Sequence, residues 1–260
     1  FDKIVEVANM SDRQVAEMLR DMHVDIAVDL KGHTKDGRLG IFSEGAAPVQ
    51  LHYLGYPGTT GAKFIDYLIG DVTLIPIEDQ RFYTEKIIYL PNSYQVNDRS
   101  RKVAIIDDGR RDHGLPEDCF VYCCFNNSWK INPEIFDVWM RLLSKVEGSV
   151  LWLLECNEEA SQNIRLHATD WGVSSDRIIF AKRLSSDEHL ARHRHADLFL
   201  DTFNCNAHTT ASDALWAGLP IVTKLGGTFA SRVGASLLRA VGLPELVVET
   251  IEAYEELALK

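Results

Sequence analysis

The sequence has few features that would place it quickly. No apolar run approaches the roughly 20 residues needed to cross a bilayer, and no signal peptide precedes the first element. Basic residues do not dominate: 27 Lys and Arg stand against 38 Asp and Glu, a net charge of -11, which argues against nucleic acid as the main partner. The five cysteines (Cys119, Cys123, Cys124, Cys156 and Cys205) form no CxxC pair and no regular framework, so neither a disulfide scaffold nor a thiolate metal site is indicated. A reducing, cytoplasmic setting follows. Neither GxGxxG nor GxxxxGK[ST] occurs, so an ordinary dinucleotide or P-loop site is not read here. There is no internal repeat and no low-complexity segment. The chain opens FDKIVEVANM without an initiator methionine, as expected of a piece of something longer.

What remains is the rhythm of a layered α/β protein. SDRQVAEMLRDM reads as an amphipathic helix capped by Ser11, followed by the buried strand VDIAVDL and by strand candidates VQLHYLG, FIDYLIGD and KIIYLP. The charged stretch NDRSRKVAIIDDGRRDH, 97–113, reads as an exposed connector. Strands CFVYCCFN, SVLWLLEC, RIIFAK, ADLFLDT and LPIVTK then alternate with helices near PEIFDVWMRLLSKV, EEASQNIRLHATDWG, SSDEHLARHRH, TTASDALWAG and SRVGASLLRAVG. Short ELVV and a helix at IEAYEELAL close the chain. Continuous apolar strands between amphipathic helices indicate parallel sheets covered on both faces. The expected fold is two Rossmann-like α/β units, 1–112 and 113–260, the first missing its beginning.

In such sheets ligands gather beyond the carboxyl ends of the strands. Four strand ends there carry polar residues: Asn126, Asn127 and Lys130 after CFVYCCFN, His189 after RIIFAK, His208–Thr210 after ADLFLDT, and LGGTFASR after LPIVTK. The turn NCNAHTTASDALWAGLP places a histidine and two threonines where a strand hands over to a helix. Free N–H groups and the positive end of a dipole at that helix start suit a phosphate, although an ordinary threonine cap reads equally well. Lys130 alone has the character of a solvated surface lysine; its position after a buried strand makes the case for it. Asp213 serves as a first-turn helix charge as readily as it would accept a hydroxyl. His189, His193 and His195 could suggest metal binding, since i and i+4 (His189 and His193) share a helix face, but no Cys or carboxylate stands at companion spacing, so no metal is expected. LGYPGTTG, 54–61, reads as a tight turn whose small residues let backbone approach a sugar.

DLKGHTKDGRLGIF, APVQLHYLGYPGTTGAKFIDYLIGD, FNNSWKINPEIFDVW, SVLWLLE, RIIF, DLFLDTFNCNAHTTASDALWAGLPIVT and FASRVGASLL together resemble the catalytic region of the O-GlcNAc transferase family, in order over nearly the whole chain. The resemblance implies a GT-B architecture and an inverting transfer of N-acetylglucosamine from UDP-GlcNAc to protein Ser/Thr. It implies that Lys130 neutralises the departing diphosphate, with Asn127 where the family commonly has a glutamine. His189 packs against the uracil, and the Leu184 backbone hydrogen-bonds the base. His208, Thr209 and Thr210 hold the phosphates, Asp213 binds the ribose, and Leu54, Gly55 and Pro57 line the donor sugar. No cofactor or metal is implied. The family also carries a histidine-rich part of the first unit upstream of this start, and tetratricopeptide repeats beyond it, so this fragment is expected to bind nucleotide while transferring nothing. Ser186 departs from a basic residue near the base pocket in animal members. Relatives of the SPINDLY type, which use a GDP-fucose donor, lack the histidine of the HTT turn, so His208 favours UDP. Transfer of a hexose, sugar-nucleotide epimerisation and nucleotide binding without turnover stand as alternatives.

Overall fold

The structure is a computed structural model describing residues 2–260. It divides between Gln95 and Val96 into two compact units.

The first unit opens with α1, Asp12–Asp21, entered through a reciprocal cap: Ser11 Oγ accepts from Gln14 N at 3.3 Å and Gln14 Oε1 accepts from Ser11 N at 2.8 Å. Four strands follow: β1 (Ile26–Asp29), β2 (Val49–His52), β3 (Tyr67–Gly70) and β4 (Lys86–Tyr89), with the short α2 (Leu39–Ser43) between the first two. All pair in parallel in the order β1-β2-β3-β4. Ala16 of α1, Phe42 of α2, Ala27 of β1, Ala46 and Ile65 form a small core, with Leu19 and Ile41 packed against it. The other face of β1 presents Ile26 and Val28 outward.

In the second unit the strands are β5 (Val121–Cys124), β6 (Val150–Leu154), β7 (Ile178–Ala181), β8 (Leu198–Leu200), β9 (Ile221–Lys224) and β10 (Val247–Val248). The helices are α3 (Pro133–Lys145), α4 (Glu158–Asp170), α5 (Ser186–Arg192), α6 (Thr209–Trp216), α7 (Val233–Ala240) and α8 (Ile251–Ala258). The sheet is wholly parallel, ordered β10-β9-β8-β5-β6-β7. This is the doubly wound order in which the direction of winding reverses between the first and fourth strands, here β5 and β8, and opens a crevice at their carboxyl ends. Helices cover the sheet, and Trp139, Leu142, Trp152, Phe199 and Leu238 are buried within it. Side chains close most helix starts: Asn132 caps α3, Asn157 caps α4, Ser185 with Glu188 brackets α5, and Thr250 caps α8. The start of α6 has no side-chain cap.

The charged connector, grouped with the first unit from sequence, packs with the second. Arg101 pairs with Asp213 at 2.7 Å, Ser212 Oγ donates to Asn97 Oδ1 at 2.7 Å, and Ala104 N donates to Asp187 O at 3.1 Å. Arg101 and Asp108 meet partners in the second unit, Asp213 and Arg194, while Asp98, Arg99, Lys102, Asp107, Arg111 and Asp112 stay exposed as the sequence suggested; the structural boundary lies ahead of the segment.

Candidate functional site

The switch point between β5 and β8 is built from side chains that sequence separates widely. Leaving β5, Asn126 is buried and donates from Nδ2 to Thr202 Oγ1 at 2.9 Å, while its Oδ1 accepts from Thr210 Oγ1 at the start of α6. One amide thus ties β5, the end of β8 and the α6 N-terminus together. Lys130 leaves the next turn and donates from Nζ to Asn206 O at 2.6 Å. Asn206 is held from the other side: its Nδ2 donates to Thr202 O at 2.7 Å and its backbone N to Ala230 O at 2.8 Å.

Beneath this turn lies Asp201, fully buried. Oδ1 accepts from the backbone N of Thr202 and of Ala207, and Oδ2 accepts from Thr223 Oγ1 at 2.6 Å. Burial pushes its carboxyl up to about 6 against these bonds and the nearby Lys130 charge. The aspartate fixes the path of 202–207 and so aims the HTT turn.

His208 donates or accepts through Nε2 at 3.0 Å from Ala230 O. A carbonyl can only accept, so Nε2 carries the proton and Nδ1 is left as an acceptor. Burial first, then the Lys130 charge, holds this imidazole down at about 4, which makes it neutral at pH 7. Thr209 is exposed and Thr210 half-buried at an uncapped helix start, where backbone N–H groups lack intrahelical partners. A cation, a neutral imidazole and an open helix N-terminus therefore converge within one turn of chain. That combination accepts a multiply charged anion.

On the β6–β7 side, Leu184 is exposed ahead of α5 and shares a cavity of about 340 Å³ with Trp152, Phe180, Lys182 and Arg192. Arg192 was not singled out from sequence. Its guanidinium is buried, stacks 4.4 Å above the Phe125 ring, and donates to Lys182 O at 2.6 Å, while Nε has no partner. No carboxylate pairs with it among the described residues, and burial lowers it to about 10. His189 stands edge-on to Phe125 at 5.4 Å and to His193 at 4.8 Å. Burial, with Arg192 next, depresses it to about 3. A buried guanidinium with spare donor capacity on the lining of this cavity suits a planar group bearing carbonyl oxygens; His189 is not part of that lining. The spacing of three between His189 and Arg192 on one short helix was the available signal.

Not every expected residue joins this group. Asn127 turns its Oδ1 onto Trp129 N at 3.4 Å and caps its own 3-10 turn. Asp213 is buried and meets Arg101 as an ion pair, with no hydrogen bond aligned on Oδ1. Leu54, Gly55 and Pro57 lie in the first unit, at the carboxyl end of β2, with Leu54 at φ +70. Asp108, His113 and His195 place ligand atoms within 4.8 Å of one another. Arg194 already pairs with Asp108, and burial first, then the Arg192 charge for His113 and the His113 and Arg194 charges for His195, lower both imidazoles; the two guanidinium charges oppose a cation there. A second cavity, about 360 Å³, opens beside Trp129 between α3 and α4. Its lining includes no lysine or arginine, so the anion chemistry belongs to the switch point.

A doubly wound parallel sheet with an anion-ready helix start at its switch point defines a nucleotide-binding α/β unit. Glycosyl transferase family 41 matches residues 1–106 and 99–260, and the chain belongs to that family. A probable UDP-N-acetylglucosamine–peptide N-acetylglucosaminyltransferase SEC of Arabidopsis thaliana is 40% identical over 264 residues, 99% of this chain and 27% of its own length. The UDP-N-acetylglucosamine–peptide N-acetylglucosaminyltransferase of Caenorhabditis elegans is 26% identical over 358 residues, 95% of this chain and 31% of its own. Among solved structures, an O-GlcNAc transferase variant from Thermobaculum terrenum matches with a TM-score of 0.89 at 32% identity, over 98% of this chain and 48% of that one. A glycosyltransferase of Rickettsia africae shares the fold alone, at 0.55 and 9% identity, over 95% of this chain and 74% of that one. The chain therefore spans 27% and 31% of the two curated relatives' lengths.

Proposed function

We propose that this chain forms the donor-binding part of the catalytic region of an inverting glycosyltransferase that moves N-acetylglucosamine from UDP-GlcNAc to protein serine or threonine. In that reaction the acceptor oxygen forms a bond to the anomeric carbon as the carbon–phosphate-oxygen bond breaks. UDP leaves with the electron pair, and the hydroxyl gives up its proton. The difficult charge is the one appearing on the diphosphate. Lys130 and the α6 N-terminus supply fixed positive potential where it appears, with His208 contributing as a neutral group. A site of this kind performs the transfer without a metal ion. The uracil occupies the cavity beside Leu184 and Arg192, His189 packs against it, and Asp213 takes the ribose once Arg101 yields. The parent chain carries tetratricopeptide repeats that bring the protein acceptor, and works in the cytoplasm; five free cysteines support a reducing home. Among the described residues no helix is long and apolar enough to cross a membrane.

The observation carrying this reading is the convergence of Lys130, His208 and the uncapped Thr209–Thr210 start on one turn at the switch point. Calorimetric titration of UDP and GDP tests it. UDP binding that Lys130→Ala and His208→Ala both weaken supports the donor site. A preference for GDP moves the donor to a GDP-sugar, and a folded chain that binds neither removes the reading. Transfer to a peptide, assayed on the parent chain, separates the transferase from an epimerase or a binding module.

A further inference from the structure

His52 is a buried, titratable residue that the donor chemistry does not use. It ends β2, and only 1% of its side chain is exposed. Its Nδ1 lies 3.0 Å from Asp29 Oδ2 and its Nε2 lies 2.9 Å from Tyr56 O. Asp29 ends β1 alongside, and its two oxygens also accept from Lys31 N at 3.0 Å and Gly32 N at 2.7 Å. A carboxylate receiving two backbone N–H groups is held ionised. Both partners of the imidazole are then acceptors, and a neutral ring can satisfy only one of them. Geometry alone requires that both ring nitrogens carry protons.

The clamp holds a particular piece of backbone. Leu54 takes φ +70, and Gly55 fits because any Cβ there would come within 2.0 Å of Leu30 O. Gly32, at φ +53, lies so close that a Cβ would meet Tyr56 Cβ at 2.6 Å and His52 Cε1 at 2.9 Å. The far end of the loop is held as well: Glu85 accepts from Thr60 N at 2.7 Å and from the hydroxyls of Thr59 and Thr60, and His33 Nε2 binds Thr60 O at 2.8 Å. The charged and titratable groups around His52 are Asp29, Glu85 and His33, the last edge-on to Tyr56 at 5.1 Å. Burial works against the cation, but Asp29, the Tyr56 carbonyl and Glu85 outweigh it and raise His52 above its ordinary value.

We infer that His52 is a positioning residue: as an imidazolium between Asp29 and the Tyr56 carbonyl, it fixes the Leu54–Gly58 backbone in the shape that the donor sugar meets. This rests on the proposal that Leu54, Gly55 and Pro57 line that sugar. Loss of the second proton turns one ring nitrogen into a lone pair facing an acceptor, and the loop is released. The loop in the first unit then loses its fixed shape, while the residues proposed to hold UDP, all in Val96–Lys260, are untouched.

Two measurements on the whole chain test it. Nitrogen-15 NMR of the imidazoles, with His52 assigned through His52→Gln, reads protonation directly. We expect both His52 nitrogens to remain protonated above the pH at which an ordinary histidine, of value about 6.5, loses its proton; a ring that loses it at or below that pH overturns the inference. Titration with UDP and with UDP-GlcNAc then reads position. His52→Gln, which can donate to only one partner, is expected to weaken UDP-GlcNAc roughly five- to tenfold relative to UDP, with UDP unchanged. Asp29→Asn is expected to move the alkaline loss of UDP-GlcNAc affinity to lower pH. Equal weakening of both ligands, or none, overturns the positioning role. Should the unaltered chain bind no UDP at all, the donor-site proposal fails and the sugar role falls with it, while the NMR result still decides the clamp.

Discussion

Lys130 brings full positive charge to the HTT turn's side of the switch point, donating to Asn206 O. His208 and His189 are held at about 4 and about 3, chiefly by burial, and so are neutral at pH 7. The cation donates to a backbone carbonyl, Asn206 O, lies 5.6 Å over the Trp129 ring, and forms no ion pair among the described residues, so its charge is not neutralised in place. A charge-assisted hydrogen bond contributes about 1.5–3 kcal/mol. Lys130→Ala is therefore expected to weaken UDP about ten- to a hundredfold with little change in melting temperature, as calorimetry and thermal unfolding would show. His52 gives the residue-scale expectation for pH. Its folded pKa lies above the ordinary value of 6.5, so its contribution to stability is whole below that value and is lost as pH rises through the raised one. Asp29 runs oppositely: its folded pKa lies below 3.8, so its contribution is present above 3.8 and is lost as pH falls through the depressed value. Thermal unfolding should show an alkaline loss of stability in the unaltered chain that is absent from His52→Gln.

At the scale of elements, α6 differs from its neighbours. Side chains close the starts of α3, α4, α5 and α8, whereas α6 and α7 have no side-chain cap, and of these two it is α6 whose first turn opens at the switch point beside Lys130. What holds that helix in place is the Asn126 amide, bonded to Thr210 and Thr202 across sequence separations of 84 and 76 residues. Removing it takes the acceptor from the half-buried Thr210 hydroxyl and one of the two partners from the buried Thr202 hydroxyl, which still donates to Cys205 O. Asn126→Ala is expected to cost about 1–3 kcal/mol in unfolding free energy by denaturant titration, and to weaken UDP although the residue need not touch it. The same amide was legible only as one of several polar residues after CFVYCCFN. Its role depends on β8 and α6 arriving beside it, and nothing local to residues 121–130 carries that information.

At the scale of the molecule, every residue assigned to the nucleotide, including Arg192, lies in Val96–Lys260, and only Leu54, Gly55 and Pro57 lie in Phe1–Gln95. The expressed segment 96–260 is therefore expected to fold and to bind UDP within about threefold of the whole chain, a difference under 1 kcal/mol. The segment 113–260, cut at the boundary read from sequence, should bind less well. It lacks Asn97, Arg101 and Asp108, which bond Ser212, Asp213 and Arg194. Equal affinity for both segments would show the connector to be a passenger.

The sequence by itself determined the parallel strands, the helices with their caps, and the HTT turn at the end of an apolar strand. Each of these follows from short-range periodicity, turn chemistry and capping, which act within a few residues. Tertiary structure decided the rest. It put the winding reversal between β5 and β8, joined Asn126, Thr202 and Thr210 into one net, left Arg192 buried without a carboxylate, and drew the charged connector onto α5 and α6. It also set His52 between two acceptors contributed by different segments of the first unit. Hydrogen bonds and ion pairs between distant segments depend on a side chain's partner in space, and that partner exists only once the sheets have formed.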